Sequence, residues 1–298
     1  MYAPIILFAF NRLEPLRACV ASLLRNPEAA ESDLIVYVDG ARPKKEGEEE
    51  KVEAVRKFVN TINGFKSVET HFSDINKGLG PSLIAGITEV MNRYGRAIVV
   101  EDDLKCSTNF LSFLNQGLDF YADKKDVFSV SGESVKVKIP EDYAYDIYFA
   151  PRAGCWGWAT WKDRWETVDW ELKNWDAVKK KRHAFNKWGG SDCYGMLKGW
   201  RDGKNKSWAI RFTYSQFLQH AESVFPTISK VSNEGFGDDA TNCKPIRFNR
   251  FAMVGDKSNN KKFRFPNEVV EDKRIVKQRM FSSRLYVRIF YKILNTIS

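Results

Sequence analysis

The first half of the chain alternates short, β-branched apolar runs with longer stretches whose apolar residues recur every three or four positions. Runs of the first kind predict buried strands, and the 3.6-residue rhythm predicts amphipathic helices. Strands are expected at residues 5–10, 34–38, 67–72, 97–100 and 127–131, with helices at 13–25, 80–94 and 109–121. Residues 44–59 are charged at first and then helical in pattern. A β-α-β-α order of this kind implies a mainly parallel sheet with right-handed crossovers.

From about residue 145 the pattern changes, and Trp, Gly and charged residues dominate. Helices are expected at 192–201 and 208–220, short strands over 224–231 around Pro226, and polar loops at 235–242 and 256–262. The tail from Lys273 onward carries seven basic and no acidic residues. On a helix turning ~100° per residue, Lys273, Arg274, Lys277, Arg284, Arg288 and Lys292 share one face. Ile275, Val287, Ile289, Phe290, Ile293, Leu294 and Ile297 lie mostly opposite. Such a helix suits an anionic membrane surface, and equally a basic helix docked on the protein's own core.

A length of 298 residues allows one large α/β domain with a C-terminal extension. The net charge of +9 suits polyanionic partners, among them nucleotide phosphates. A nucleic-acid partner is not expected, because the basic residues gather in the tail instead of interleaving with the Trp cluster. Five scattered Cys without a CxxC pair, and three His, argue against a zinc site or a disulfide framework and for reduced thiols of a cytoplasmic protein. The N-terminus lacks a basic n-region, so no signal peptide is expected. No run reaches the ~18 apolar residues of a membrane-spanning helix.

The candidate chemistry sits where strands end. Arg96-Ala97-Ile98-Val99-Val100 runs into Glu101-Asp102-Asp103-Leu104. Carboxylates are not buried without a cationic or hydrogen-bonding partner, and ligands of open α/β sheets bind at the carboxyl ends of the strands. The triplet reads as a divalent-cation site shared with a nucleotide's phosphates, or as an acidic turn that starts the next helix. Asp39 follows the second strand and suits a ribose or base contact, or simply an Asp-Gly turn. Arg12 ends the first strand and suits phosphate. Lys77 adds charge to the loop Asn76-Lys77-Gly78-Leu79-Gly80, which is neither a P-loop nor a GxGxxG motif. Glu133, in Ser131-Gly132-Glu133-Ser134, is a candidate general base or a polar turn residue. Trp156 and Trp158 offer rings for the apolar face of an acceptor sugar, although the spacing of Trp158, Trp161 and Trp165 also suits a helical core.

Together these residues resemble the nucleotide-sugar glycosyltransferases of the GT-A fold, in particular the N-acetylglucosaminyltransferase-I-like group and related bacterial sugar transferases. Three stretches carry the resemblance: Phe8-Ala9-Phe10-Asn11-Arg12, Val99-Val100-Glu101-Asp102-Asp103-Leu104 as the DxD-type motif, and residues 149–161. Weaker matches continue through Ser207-Trp208-Ala209-Ile210-Arg211 and Asn233-Glu234-Gly235-Phe236-Gly237, so the resemblance spans about residues 3–242.

The resemblance implies a Rossmann-type mixed, mainly parallel sheet flanked by helices, with a C-terminal helical extension. Residues 1–268 would form the transferase domain, with a donor half of about 1–130 and an acceptor half of about 131–268, and 269–298 would form the basic tail. Asp103 would hold Mn²⁺ or Mg²⁺ against the diphosphate of a nucleoside-diphosphate sugar, with a UDP-sugar favoured. Glu101 and Asp102 would contact the donor's sugar and ribose, and Arg12 and Asp39 would hold its nucleotide. Transfer would invert the anomeric centre, with a carboxylate deprotonating a hydroxyl of a glycan or lipid-linked acceptor. Related enzymes carry an acidic residue right after the Trp aligned with Trp208, whereas this chain has Ala209 and Ile210. Glu133 is therefore the first candidate base, followed by Asp238 and Asp239. The alternatives are a non-catalytic nucleotide- or glycan-binding protein and, with no glycine in Phe8–Arg12 to support it, a nucleotidyltransferase.

Overall fold

A computed structural model describes residues 1–233, 253 and 255–297. Its strands are β1 (Ile5–Ala9), β2 (Asp33–Val38), β3 (Ser67–Phe72), β4 (Arg96–Glu101), β5 (Leu104–Cys106), β6 (Val127–Ser131), β7 (Ile147–Ala150), β8 (Trp158–Trp161), β9 (Glu222–Pro226) and β10 (Val231–Asn233). Its α-helices are α1 (Leu13–Leu24), α2 (Glu48–Val59), α3 (Leu79–Tyr94), α4 (Phe110–Phe120), α5 (Lys162–Trp165), α6 (Trp175–Gly189), α7 (Cys193–Arg201), α8 (Ala209–Leu218), α9 (Lys273–Arg279) and α10 (Leu285–Ile297).

Eight strands form one sheet in the order β3-β2-β1-β4-β8-β6-β9-β7. The β3-β2-β1-β4 half is parallel throughout and has the 3-2-1-4 order of a Rossmann-type sheet. Beyond it, β8 runs antiparallel between β4 and β6, β6 and β9 are parallel, and β7 closes the edge antiparallel to β9. The fold is thus α/β, with a mixed, mainly parallel sheet flanked by helices.

The helices fold because each has an apolar stripe for the sheet to bury. On α1, Leu16, Cys19, Val20 and Leu23 are buried at helical spacing in a core with β1, β2 and α4. The other sheet face packs α3 against Phe8, Phe128, Trp158 and Phe212. Gly86 lets α3 approach closely, since a Cβ there would lie 3.1 Å from the rings of both Phe8 and Tyr37. A third cluster is all-helical and joins α6, α7 and α8 through Val178, Phe185, Leu197, Ile210 and Tyr214.

Three expectations are corrected. Trp158 and Trp161 lie on strand β8 and not on a helix, and they face opposite sides of the sheet: Trp158 joins the α3-side core and Trp161 the α1-side core. The tail is not one helix, because the 3₁₀ turn Met280–Ser283 and an extended Arg284 separate α9 from α10. Strand β7 and helix α6 were not expected at all. The apolar stripe of α6 is thin, with Val178 and Phe185 as its buried apolar residues, among many lysines.

Arg164 shows how the turn after α4 is held. Its buried guanidinium donates to the carbonyls of Tyr121, Ala122 and Lys124 at 3.0, 2.8 and 2.9 Å and lies 4.2 Å from the Trp161 ring centre. Arg164→Met would take the side-chain donor from the Ala122 carbonyl, while those of Tyr121 and Lys124 keep the backbone N–H groups of Lys124 and Val127 at 3.1 and 3.0 Å. One buried unsatisfied group costs roughly 1–3 kcal/mol. Urea unfolding should show a loss of about 1–3 kcal/mol for this variant.

Candidate active site

The register of the sheet brings the candidate residues to one rim. Phe8 of β1 pairs with Glu101 of β4, and Ala9 pairs with Val38 of β2. Arg12, Asp39 and the Glu101–Asp103 triplet therefore leave the same edge.

One cation meets the triplet. Arg12 Nη2 donates to Asp102 and to Asp103 Oδ2, the latter at 3.0 Å. Burial pushes the Asp102 carboxyl up to about 6, against the pull of Arg12, and pushes Glu101 up to about 8, with the charges of Asp103 and Asp102 adding to the rise. Among the described residues, Arg12 hydrogen-bonds two of the three carboxylates, Asp102 and Asp103. Asp103 is the more accessible of the pair on Arg12 and opens, with Glu14 and Lys105, onto a cavity of about 290 Å³. Carboxylate oxygens are a donor set of the kind that suits Mg²⁺ or Mn²⁺. Asp103 would be the ligand, and a bound diphosphate would complete the shell.

Among the described residues, the group of three potential metal-ligating side chains whose ligand atoms converge within 4.8 Å is Glu69, His71 and Glu89, and not the Glu101–Asp103 triplet. Arg93 already holds Glu69 through two hydrogen bonds of 2.8 and 2.7 Å.

Asp39 is placed on the rim, but its carboxylate is occupied. It accepts from the backbone of Gly40, Lys77 and Gly78 at 3.0, 2.9 and 2.8 Å, and from Asn76 Nδ2 at 3.2 Å. Four donors use its acceptor capacity. It fixes the loop that presents the exposed Lys77 at the head of α3, rather than offering a free carboxylate to a ribose.

Glu133 reaches the same rim from the far side of β8. Trp158 is paired with Val99 of β4 on one side and with Ser131 of β6 on the other. Glu101 and Glu133 each lie two residues beyond that level, on parallel paths two strand spacings apart, or about 10 Å. The turn at Glu133 is held by Gly132 N–H donating to Gly157 O at 2.6 Å. Only glycine fits at either position. A Cβ on Gly132 would lie 2.5 Å from that same oxygen, and Gly157 has φ +61°.

Burial raises the Glu133 carboxyl, while Arg279 and the Trp156 N–H oppose the rise. Arg279 Nη2 lies 3.5 Å from Glu133 Oε1, and its guanidinium sits 3.3 Å from the Phe225 ring centre. The Cys155 thiol is held well above its usual range by burial and by the charges of Glu133 and Glu101.

The two tryptophans separate. Trp156 is half-buried beside Cys155 and packs at the margin of the α1-side core. Trp158 is 1% exposed, stacked on Trp208 at 5.3 Å and surrounded by Trp165 and Phe212. It is a core residue and offers no open face to a sugar. Asp238 and Asp239 lie outside the described residues, although Asn233 pairs with Leu104, so the chain leaves β10 beside the acidic motif.

Sequence reasoning missed Arg279 and Arg152. Arg152 adopts φ +64° and donates to both oxygens of Asp192, at 2.9 and 3.1 Å. A signal for Arg279 was present: it is the one basic tail residue outside the shared basic face.

No protein-family model matches the chain, and no curated protein matches it in sequence. Among solved structures, S. aureus TarS residues 1–349 is similar at a TM-score of 0.40 and 12% identity, covering 78% of this chain and 59% of that one. A longer structure of S. aureus TarS gives a TM-score of 0.38 and 13% identity, covering 77% and 37%. The chain therefore spans less than two thirds of the length of either.

The raised carboxyl of Glu101 fixes the sign of a pH effect. Its folded value of about 8 lies above the usual glutamate value of 4.5, so the folded state holds the proton more tightly. Its contribution is fully present below the unfolded value and is lost as pH rises towards 8. Denaturant midpoints at pH 5, 6.5 and 8 should fall with rising pH in the native protein, and fall less in Glu101→Gln.

Proposed function

We propose that the chain is a metal-dependent, inverting glycosyltransferase. It would move a sugar from a nucleoside-diphosphate sugar, with a UDP-sugar favoured, to a hydroxyl of a glycan or lipid-linked acceptor in cell-surface polysaccharide synthesis. The observation that carries this reading is the rim itself. Arg12 and the Asp102–Asp103 pair stand at the end of β4, and a separate buried carboxylate, Glu133, stands two strands away. The first group suits a diphosphate and its cation, and the second suits a reacting hydroxyl.

A bound Mn²⁺ or Mg²⁺ would supply Lewis-acid stabilisation of the leaving diphosphate. Arg12 orients Asp102 and Asp103 towards the nucleotide. Asp39 holds the loop that presents Lys77 to the phosphates. Glu133 takes the proton of the acceptor hydroxyl, and its raised affinity for a proton, set by burial, suits that task near neutral pH. The half-buried Trp156, next to this turn, is the ring left to contact an acceptor sugar. The proposal sets the protein in a reducing compartment, in keeping with its free cysteines, and at an anionic membrane surface through its basic tail.

The second reading is a non-catalytic binding protein. The observation in its favour is Arg279, which occupies one oxygen of the only described candidate base.

Melting temperatures with UDP-, GDP-, CDP- and dTDP-sugars, with and without Mn²⁺, test the donor site by mass action. One nucleotide class should stabilise the native protein in a Mn²⁺-dependent way and fail to stabilise Asp103→Ala. No shift with any nucleotide would remove the transferase reading.

Glu133→Gln separates the two readings. With the donor and acceptor that support turnover, it should lower kcat by about 10²–10⁴-fold and leave donor KM within about twofold. Donor binding without turnover or donor hydrolysis in the native protein would instead favour the binding protein.

A further inference from the structure

Helix α10 carries an apolar face that the protein itself leaves uncovered. Leu285, Tyr286, Ile289, Phe290 and Ile293 are 49–58% exposed, whereas Val287 is 5% exposed. At ~100° per residue the five exposed side chains fall within one arc of about 140°, and the buried Val287 lies outside it, about 60° beyond Phe290. The helix thus docks by one edge and presents a continuous apolar strip outward. Phe281, 49% exposed and edge-on to Tyr286 with ring centres 6.0 Å apart, extends the strip.

The described residues of α10 do not by themselves span a bilayer. Thirteen residues at ~1.5 Å each span about 20 Å, against a hydrocarbon core of about 30 Å. Among the described residues no helix is long and apolar enough to cross a membrane.

Cations flank it. A cavity of about 550 Å³ opens between α6, α9 and the start of α10, and Leu285 and Tyr286 line it together with Lys187, Lys277 and Arg284. All three cations are exposed. Glu271 also lines the cavity, and its carboxyl is raised by burial and faces that of Glu222. Three cations against one carboxyl leave the cavity cationic.

We propose that this face docks on an anionic bilayer, with the α10 strip lying in the interface and a lipid phosphate headgroup seated among Lys187, Lys277 and Arg284. An apolar strip beside exposed cations is the pattern of an interfacial helix. A second copy of the chain is the poorer occupant. A two-fold interface sets each patch against itself, which would press these cations together. The inference rests on the membrane-surface part of the proposed function and is independent of the donor chemistry.

The chain of residues 1–298 should co-float with vesicles of phosphatidylcholine containing 30% phosphatidylglycerol, and not with pure phosphatidylcholine. Ile289→Glu/Phe290→Glu, on exposed positions, should keep its melting temperature and lose binding by more than tenfold. Lys277→Gln/Arg284→Gln should weaken it by about fivefold per charge removed. Failure of the native protein to bind would overturn the proposal together with the membrane part of the functional reading. Native binding that Ile289→Glu/Phe290→Glu leaves intact would overturn this face alone. A concentration-dependent dimer that the same substitutions dissolve, without vesicle binding, would assign the strip to a second copy. Donor-induced stabilisation, measured separately, reports on the transferase reading in every case.

Discussion

Glu101, Asp102 and Asp103 leave a central strand whose body is fully apolar, and Arg12 is the cation that meets them. Removing a carboxylate from water is costly unless charge or hydrogen bonds replace the lost hydration. Among the described residues, Arg12 hydrogen-bonds two of the three. The raised proton affinities of Glu101 and Asp102 are the mark of that cost. In the proposed function, the divalent cation that accompanies a diphosphate is the partner this acidic rim would take.

The insertion of β8 between β4 and β6 gives the rim its length. A sheet continued by a parallel strand next to β4 would have put the next turn one strand spacing away. The antiparallel β8 instead spaces two parallel strands apart, and its residue Trp158 sets both at the same level. Glu101 and Glu133 are then separated by about 10 Å, room for a sugar ring between two carboxylates with different tasks. The Trp158 ring, stacked on Trp208 and wedged against Phe212, makes that register rigid. Its structural role explains why it cannot also serve as an open platform.

Much of this was legible in the sequence because local rules suffice for parallel units. Residues 67–72 and 127–131 are strands at the expected boundaries, and the rim residues Arg12, Asp39 and Glu101–Asp103 follow from where apolar runs stop. What escaped depends on distant partners. Trp158 and Trp161 are three residues apart, which suits a helix as well as the opposite faces of a strand, and only the pairing with β4 and β6 decides. Helix α6 hides its two inward apolar residues among lysines. The occupation of Asp39 by the 76–78 loop joins segments 37 to 39 residues apart, and no periodicity reports it.

The tail shows the same distinction more sharply. A uniform basic face opposite an apolar one predicts a single helix with a single role, yet the turn at Met280–Ser283 divides it. Helix α9 turns inward: Ile275 is fully buried against the cluster of Tyr148 and Phe225, and Arg279 reaches Glu133 across the Phe225 ring. Helix α10 turns outward and leaves its apolar arc bare. The segment that supplies the exposed strip is thus continuous with the segment that supplies the counter-charge to the candidate base. Four residues of 3₁₀ turn separate the two, a short lever, so any contact that anchors α10 also constrains where Arg279 can sit. On the proposed reading, a transferase with its acceptor at a surface would join these functions in one segment, since the candidate base would be framed by the same helix pair that meets the surface.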